Sequence, residues 1–160
     1  MAADLDELDF ALIALLQENG RRSTSEIARL VETPESTVRR RIDRLLRDEL
    51  VRVVAVVEDP SRLGLEVHAS FAMRIAPHDE KEVIQQLVAC DEIRWVAATT
   101  GSMNLLAEGF FHSIEHLRSF QASQMVISDT IVEFHVNIIL GLYKNRFDWA
   151  AMARAQHNGT

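Results

Sequence analysis

Residues 23–47, STSEIARLVETPESTVRRRIDRLLR, decide how the first third of the chain folds. Ser23 can cap a helix, and Glu26 three residues on completes the pattern of a capping box. Ile27, Leu30 and Val31 then fall on one side of that helix. Thr33-Pro34 interrupts the pattern: threonine suits an N-cap and proline the first helical position, so a third helix is predicted to start there. Its apolar stripe is Val38, Ile42, Leu45 and Leu46. At roughly 100° per residue, Ser36, Arg40, Arg44 and Arg47 cluster opposite that stripe, with Thr37 and Arg39 at its flanks. Two short helices joined by a tight turn predict a helix-turn-helix, whose second helix needs one face for the core and one for DNA. An Arg-rich face is as often merely solvated; the Ser-capped helix and the turn before it favour the DNA reading.

Working outward, residues 4–19 place Leu5, Leu8, Leu12, Leu15 and Leu16 at helical spacing, with acids in the first turn and Gly20 after the last. Downstream, Leu50–Val57 (LVRVVAVV) is β-branched, short and ended by Asp59-Pro60, which predicts a strand. Residues 1–62 are therefore expected to form a helix-turn-helix unit. The second half alternates differently. Val67–Ile75 reads as a strand, Asp79–Cys90 as an amphipathic helix, and Arg94–Thr100 as a strand. Gly101–Asn104 reads as a turn into Leu105–Phe111, Ser113 caps a helix carrying Ile114, Leu117 and Phe120, and Thr130–Leu140 closes as a strand. The order β-α-β-β-α-β predicts a ferredoxin-like sheet over 63–144 with both helices on one face, so the class is α+β. The bare sheet face, read as rich in apolar side chains, calls for a partner and predicts at least a homodimer. Residues 145–160 are left as a tail.

Charge sharpens the nucleic-acid reading. The net charge is −7, yet ten of the 17 basic residues, all Arg, lie in residues 21–62 against eight acids. Residues 1–20 carry five acids and no base. A local patch, rather than total charge, meets phosphate. Composition excludes collagen-like, low-complexity and disordered classes, since Gly is 6, Pro is 3 and aliphatics run throughout. No apolar run is long enough for a membrane helix, and the acidic N-terminus is unlike a signal peptide, so a cytoplasmic protein without membrane partner is expected. Cys90 is the only cysteine, which leaves no intrachain disulfide and no cysteine-based zinc site.

The stretches LDELDFALIALLQENGR (5–21), SEIARLV (25–31), STVRRRIDRL (36–45) and EDPSRLGL (58–65), followed by β-α-β-β-α-β with a Thr100-Gly101 turn, resemble the Lrp/AsnC family of transcriptional regulators. The resemblance runs from Leu5 to about Lys144. It implies an N-terminal winged helix-turn-helix binding double-stranded DNA and a C-terminal regulatory domain. It also implies dimers that pair through the C-terminal sheets and assemble further to octamers, and an amino acid or related metabolite as effector. The family's turn reads Gly-Asp-x-Asp; here it is Gly101-Ser102-Met103-Asn104, and a family Thr-x-Thr on the last strand aligns with Phe134-His135-Val136. An effector is accordingly expected at Thr100, Gly101, Ser102, Met103 and Asn104, held through main-chain amides, with free amino acids binding weakly. Glu32 and Glu49 stand where the family has turn glycines, positions at which φ > 0 is expected.

Other readings are blander. His112 and His116, four apart, have the spacing of a metal pair but lack an evident third ligand, so no metal and no cofactor are expected. His68, His135, Cys90, Trp95 and Trp149 read as packing or interface residues. No phosphate loop, nucleophile elbow or HExxH is present, and no catalytic residue is assigned. The alternatives to a regulator are an enzyme of the sirohaem-decarboxylase type on the same architecture, using His68, His112, His116 or His135, and a DNA-organising protein that answers to no ligand.

Overall fold

The computed structural model describes residues 5–125, 130–146, 149–150 and 153. The chain divides into two units, one made of Met1–Val56 and Lys144–Thr160 and the other of Val57–Tyr143. Of the described C-terminal residues, Ala150 packs with the first unit. Ala150 is buried there, and its N–H donates to Gln17 Oε1 at 3.1 Å.

The first unit holds α1 (Glu7–Glu18), α2 (Thr24–Leu30) and α3 (Glu35–Arg47). Asp6 caps α1 by accepting from the Asp9 N–H at 3.0 Å, and Asp9 reciprocates toward the Asp6 N–H, closing a capping box. Ser23 caps α2 as expected, but the Glu26 carboxylate lies 3.4 Å from Arg22 Nε, an ion pair. The cap of α3 differs from expectation. Pro34 is the N-cap with no side-chain bond, while Thr33 turns its hydroxyl back to the Val31 carbonyl at 3.0 Å. The reason is that Thr33 is already committed to ending α2: its N–H bonds the Ala28 carbonyl while the Glu32 N–H bonds that of Arg29. Those two bonds form a Schellman motif with Glu32 in the left-handed region (φ 49°). Helix α3 ends the same way: Leu50 N–H bonds Leu45 O, Glu49 N–H bonds Leu46 O, and Glu49 has φ 54°. Both positions take the glycine conformation without the glycine. Leu12, Ile27, Ala28, Val38 and Leu45 form the core between these helices.

The strand expected at Leu50–Val57 does not form. The segment belongs to no sheet, and Val53, Val54, Val56 and Val57 are each about half exposed. High β-propensity measures fit to a pleated neighbour, and among the described residues none pairs with this stretch. The helix-turn-helix is present; among the described residues no strand-built wing follows it. A 3₁₀ turn, Pro60–Leu63, capped by Asp59 and closed by Gly64 in the left-handed conformation (φ 79°), follows it and opens the second unit.

That unit is β1 (Val67–Ile75), α4 (Glu80–Val88), β2 (Ile93–Ala98), β3 (Leu105–Phe111), α5 (Ile114–Phe120) and β4 (Ile131–Ile138). A single π-type turn, Gln121–Met125, continues α5. The four strands lie in the order β2-β3-β1-β4, every neighbour antiparallel, the ferredoxin-like arrangement that the element order predicts. Phe71, Met73, Leu105, Phe111, Val83, Leu87, Leu117 and Phe120 share one core, so both helices cover the same sheet face. Phe71, Phe111 and Phe120 meet there with ring centroids 5.1–6.1 Å apart, in edge and tilted geometries.

Candidate nucleic-acid and effector sites

Helix α3 is fixed by its inner face. Val38 and Leu45 are fully buried and Ile42 partly so, while Leu46, expected in the same stripe, is 39% exposed. On the outer face a shallow, open depression of about 450 Å³ is lined by Glu35, Ser36, Arg39, Arg40, Asp43 and Arg47. The structure therefore brings Ser36, Arg39, Arg40 and Arg47 together, with Thr37 half-buried at the edge. Arg39 Nη2 is 2.8 Å from Glu35 Oε1, an exposed i,i+4 pair of small energetic weight. Among the described residues Arg40 and Arg47 have no ion-pair partner.

Arg44 lies elsewhere than the wheel suggests. Its Nη2 is 2.5 Å from Asp9 Oδ2, and Arg41 Nη1 is 3.1 Å from Asp9 Oδ1 and 2.6 Å from each Asp6 oxygen. Asp9 is 1% exposed, the one buried charged residue among those described. A carboxylate so placed is tolerated only because two guanidiniums and an N–H satisfy it; removing a partner from such a site typically costs ~3–5 kcal/mol. The Arg41 guanidinium, with the Asp9 N–H, holds the Asp6 carboxyl below the usual carboxylate range, and Asp6 and Asp9 raise Arg41 in turn. This clamp between α1 and α3 is what sequence reading missed. A signal was present: Asp9 sits within the apolar stripe of α1, between Leu5 and Leu12.

At the turn between β2 and β3, Thr100, Gly101 and Ser102 are exposed and Met103 and Asn104 half-buried. Asn104 pairs with the backbone of β1: its Oδ1 accepts from the Ile75 N–H at 2.8 Å and its Nδ2 donates to the Ile75 carbonyl at 3.0 Å. Thr99 Oγ1 donates to Met103 O at 2.6 Å. Gly101 has no left-handed φ, and a Cβ there would make only an ordinary contact with Met103 O at 3.7 Å. The sheet face away from the helices mixes apolar residues, Trp95 and Ala97 of β2 among them, with polar and charged ones. It carries Ala72, Leu106 and Phe110, but also Ser70 and Asn137 and a chain in which Arg74 Nη2 is 2.7 Å from Glu133 Oε2 and His135 Nε2 is 3.1 Å from Glu133 Oε1. His135 and then Arg74 hold the Glu133 carboxyl below its ordinary range. His68 stacks on Phe110 and lies 3.6 Å from Glu108.

His112 and His116 stack on each other with centroids 5.5 Å apart, but His112 Nδ1 bonds the Gly64 carbonyl and His116 Nε2 bonds Glu92. Among the described residues no group of His, Cys, Asp and Glu is placed to hold a metal ion. Cys90 is half-buried and donates to the Gln86 carbonyl; burial pushes its thiol up. Trp95 is about half exposed and Trp149 more so. No helix among the described residues is long and apolar enough to cross a membrane.

A tri-helical unit presenting an arginine face, joined to a four-stranded α+β unit, defines a helix-turn-helix protein with a separate regulatory-type domain. Comparison with known families and proteins makes this specific. The AsnC-type helix-turn-helix domain matches residues 5–46, and the Lrp/AsnC ligand binding domain matches residues 68–149. An uncharacterized HTH-type transcriptional regulator of Pyrococcus horikoshii is 33% identical over 141 residues, spanning 88% of this chain and 89% of that one. Among solved structures, E. coli AsnC superposes with a TM-score of 0.82 at 20% identity, over 91% of this chain and 98% of its own. The L-Met complex of a Neisseria meningitidis transcriptional regulator does so with 0.81 at 23% identity, over 90% and 95%. These two likenesses concern the fold. The chain belongs to the Lrp/AsnC family and is a transcriptional regulator with a helix-turn-helix domain and a ligand-binding domain.

Proposed function

We propose that the protein reads double-stranded DNA with the outer face of α3, as a homodimer or higher assembly joined through its sheet units, and that a small carboxylate-bearing metabolite modulates it. The observation that carries the DNA reading is the pair Arg40 and Arg47: guanidiniums without an ion-pair partner among the described residues, on a helix whose opposite face is locked by Val38 and Leu45. Arg40 is assigned to base edges or flanking phosphate, Arg39 and Arg47 to phosphate, and Ser36 and Thr37 to contacts at the helix N-terminus. Arginine prefers guanine O6 and N7, whereas phosphate contacts position without specifying. With a total charge of −7, affinity relies on several protomers engaging at once. Footprinting on an operator selected from a random duplex pool tests this. Two protected half-sites about one helical turn apart, or a multiple of it, are expected; unstructured protection along the whole duplex contradicts the reading.

The effector reading places the ligand's carboxylate on the main chain of Thr100–Asn104. A run of turn amides can hold an anion without a side-chain charge. The Neisseria regulator's complex with L-Met supports a small-molecule effector for the fold. Here Asn104 is spent on Ile75 and Glu133 on Arg74 and His135, which leaves an ammonium few strong acceptors. Free amino acids are therefore expected to bind weakly, and carboxylates without an ammonium better. A thermal-shift screen decides: tight stabilisation by a common amino acid, abolished in Gly101→Val, contradicts the assignment.

A further inference from the structure

Five arginines lie on α3, and the structure sorts them by what already holds them. Arg39, Arg40 and Arg47 line the outer depression, whereas Arg41 and Arg44 are turned to the head of α1. We propose that Asp9, with Asp6, withholds Arg41 and Arg44 from DNA, which makes Asp9 a positioning residue that sets the balance between specific and non-specific binding. This rests on the assignment of α3 to DNA made above.

The argument is one of competing anions. Asp9 is 1% exposed and accepts from Arg44, Arg41 and the Asp6 N–H, so its carboxylate stands where a phosphate would otherwise draw those guanidiniums. A backbone phosphate offers Arg44 a contact in high dielectric, whereas leaving Asp9 would strand a buried charge. The buried partner therefore wins. Arg44 itself is 41% exposed, so its side chain reaches the surface and is held by its partner, not by burial. Phosphate contacts carry no sequence information. Two guanidiniums kept out of that contribution lower binding to any sequence while leaving the base-reading face intact, and so raise the ratio of operator to unrelated DNA.

The test measures binding of the full chain to a selected operator duplex and to an unrelated duplex of equal length, between about 50 and 200 mM salt. Arg44→Ala is expected to leave both affinities within about twofold and both salt slopes unchanged, because giving up one neutralised phosphate would flatten the slope by ~0.9. Asp9→Asn is expected to steepen the slope on unrelated DNA by ~1–2 and to lower the operator-to-unrelated ratio. Adding Arg44→Ala to Asp9→Asn should reverse part of that change. A flattened slope in Arg44→Ala, or an unchanged or flattened slope in folded Asp9→Asn, overturns the proposal. Should Asp9→Asn or Arg44→Ala fail to fold by circular dichroism, Arg44→Gln, which keeps a donor for Asp9 but removes the charge, is measured instead, and its slope decides on the same terms. Arg40→Ala on the same duplexes keeps the two readings apart: full binding there would sink the assignment of α3 to DNA, whatever Arg44 does.

Discussion

On α3, Arg40 and Arg47 have no ion-pair partner among the described residues, whereas on the open face of the sheet Arg74 is spent on Glu133, Glu133 also on His135, and His68 lies against Glu108. The two surfaces carry similar residue types, yet the described arginine of the sheet face, Arg74, is paired whereas Arg40 and Arg47 of α3 are not. Unpaired guanidiniums on a rigid helix are poised for a polyanion. Charges already neutralised by neighbours can be laid against another protein surface at smaller desolvation cost. Sequence distinguishes the two only in part, because pairing across strands depends on register. Arg74 and Glu133 are 59 positions apart and meet only because β1 and β4 are aligned.

The largest test removes the anchor that presents the α3 face. Leu45→Ala deletes a 2%-exposed side chain and should cost ~2–5 kcal/mol in denaturant unfolding. A cost under ~1 kcal/mol would mean the helix is held by something other than its core face. Next, Arg40→Ala should weaken operator binding by ~1–3 kcal/mol, while Arg74→Ala leaves it unchanged. Equal weakening by fluorescence anisotropy at fixed salt would erase the distinction between reserved and spent charge. Smaller still, Glu32→Gly and Glu49→Gly should each stabilise the first unit by ~0.5–1 kcal/mol, since a left-handed non-glycine costs ~1–2 kcal/mol and glycine's extra chain entropy returns part of it. Neither is expected to change the DNA slope.

The smallest effect is acid dependence. The Asp6 carboxyl lies lower in the folded state than in the unfolded chain, so its contribution is complete above the unfolded value near pH 4 and is lost as pH falls through the lowered one. Melting temperatures from pH 7 to 3 should decline less steeply in Asp6→Asn than in the native chain, and the difference should be small because the pair is exposed.

Much of the fold was legible because its punctuation is local. Val67–Ile75 and Leu105–Phe111 alternate cleanly between turn residues, and Ser23 and Ser113 cap their helices as their positions suggest. What failed was non-local. Leu50–Val57 has the composition of a strand but no neighbour to complete it among the described residues, and Thr33 looks like a cap until the helix before it claims its N–H. At the candidate DNA site, the helical wheel placed Arg40 and Arg47 well. It set Arg44 among them because a wheel knows nothing of Asp9, 35 positions upstream. At the turn, sequence named Asn104 for the effector site but gave no sign that its side chain also bonds the backbone of β1 at Ile75, 29 positions upstream.

The polypeptide leaves the first unit after Val56 and rejoins it at Lys144, and the Ala150–Gln17 bond joins residues 133 positions apart. On a ribosome, domains generally fold as they emerge, N-terminal first. Here the three helices emerge early but acquire their last piece only after the entire sheet has been made. A truncated product would carry the arginine face of α3 on an unfinished scaffold. Order of synthesis thereby ties completion of the helix-turn-helix unit to prior production of the ligand-binding domain.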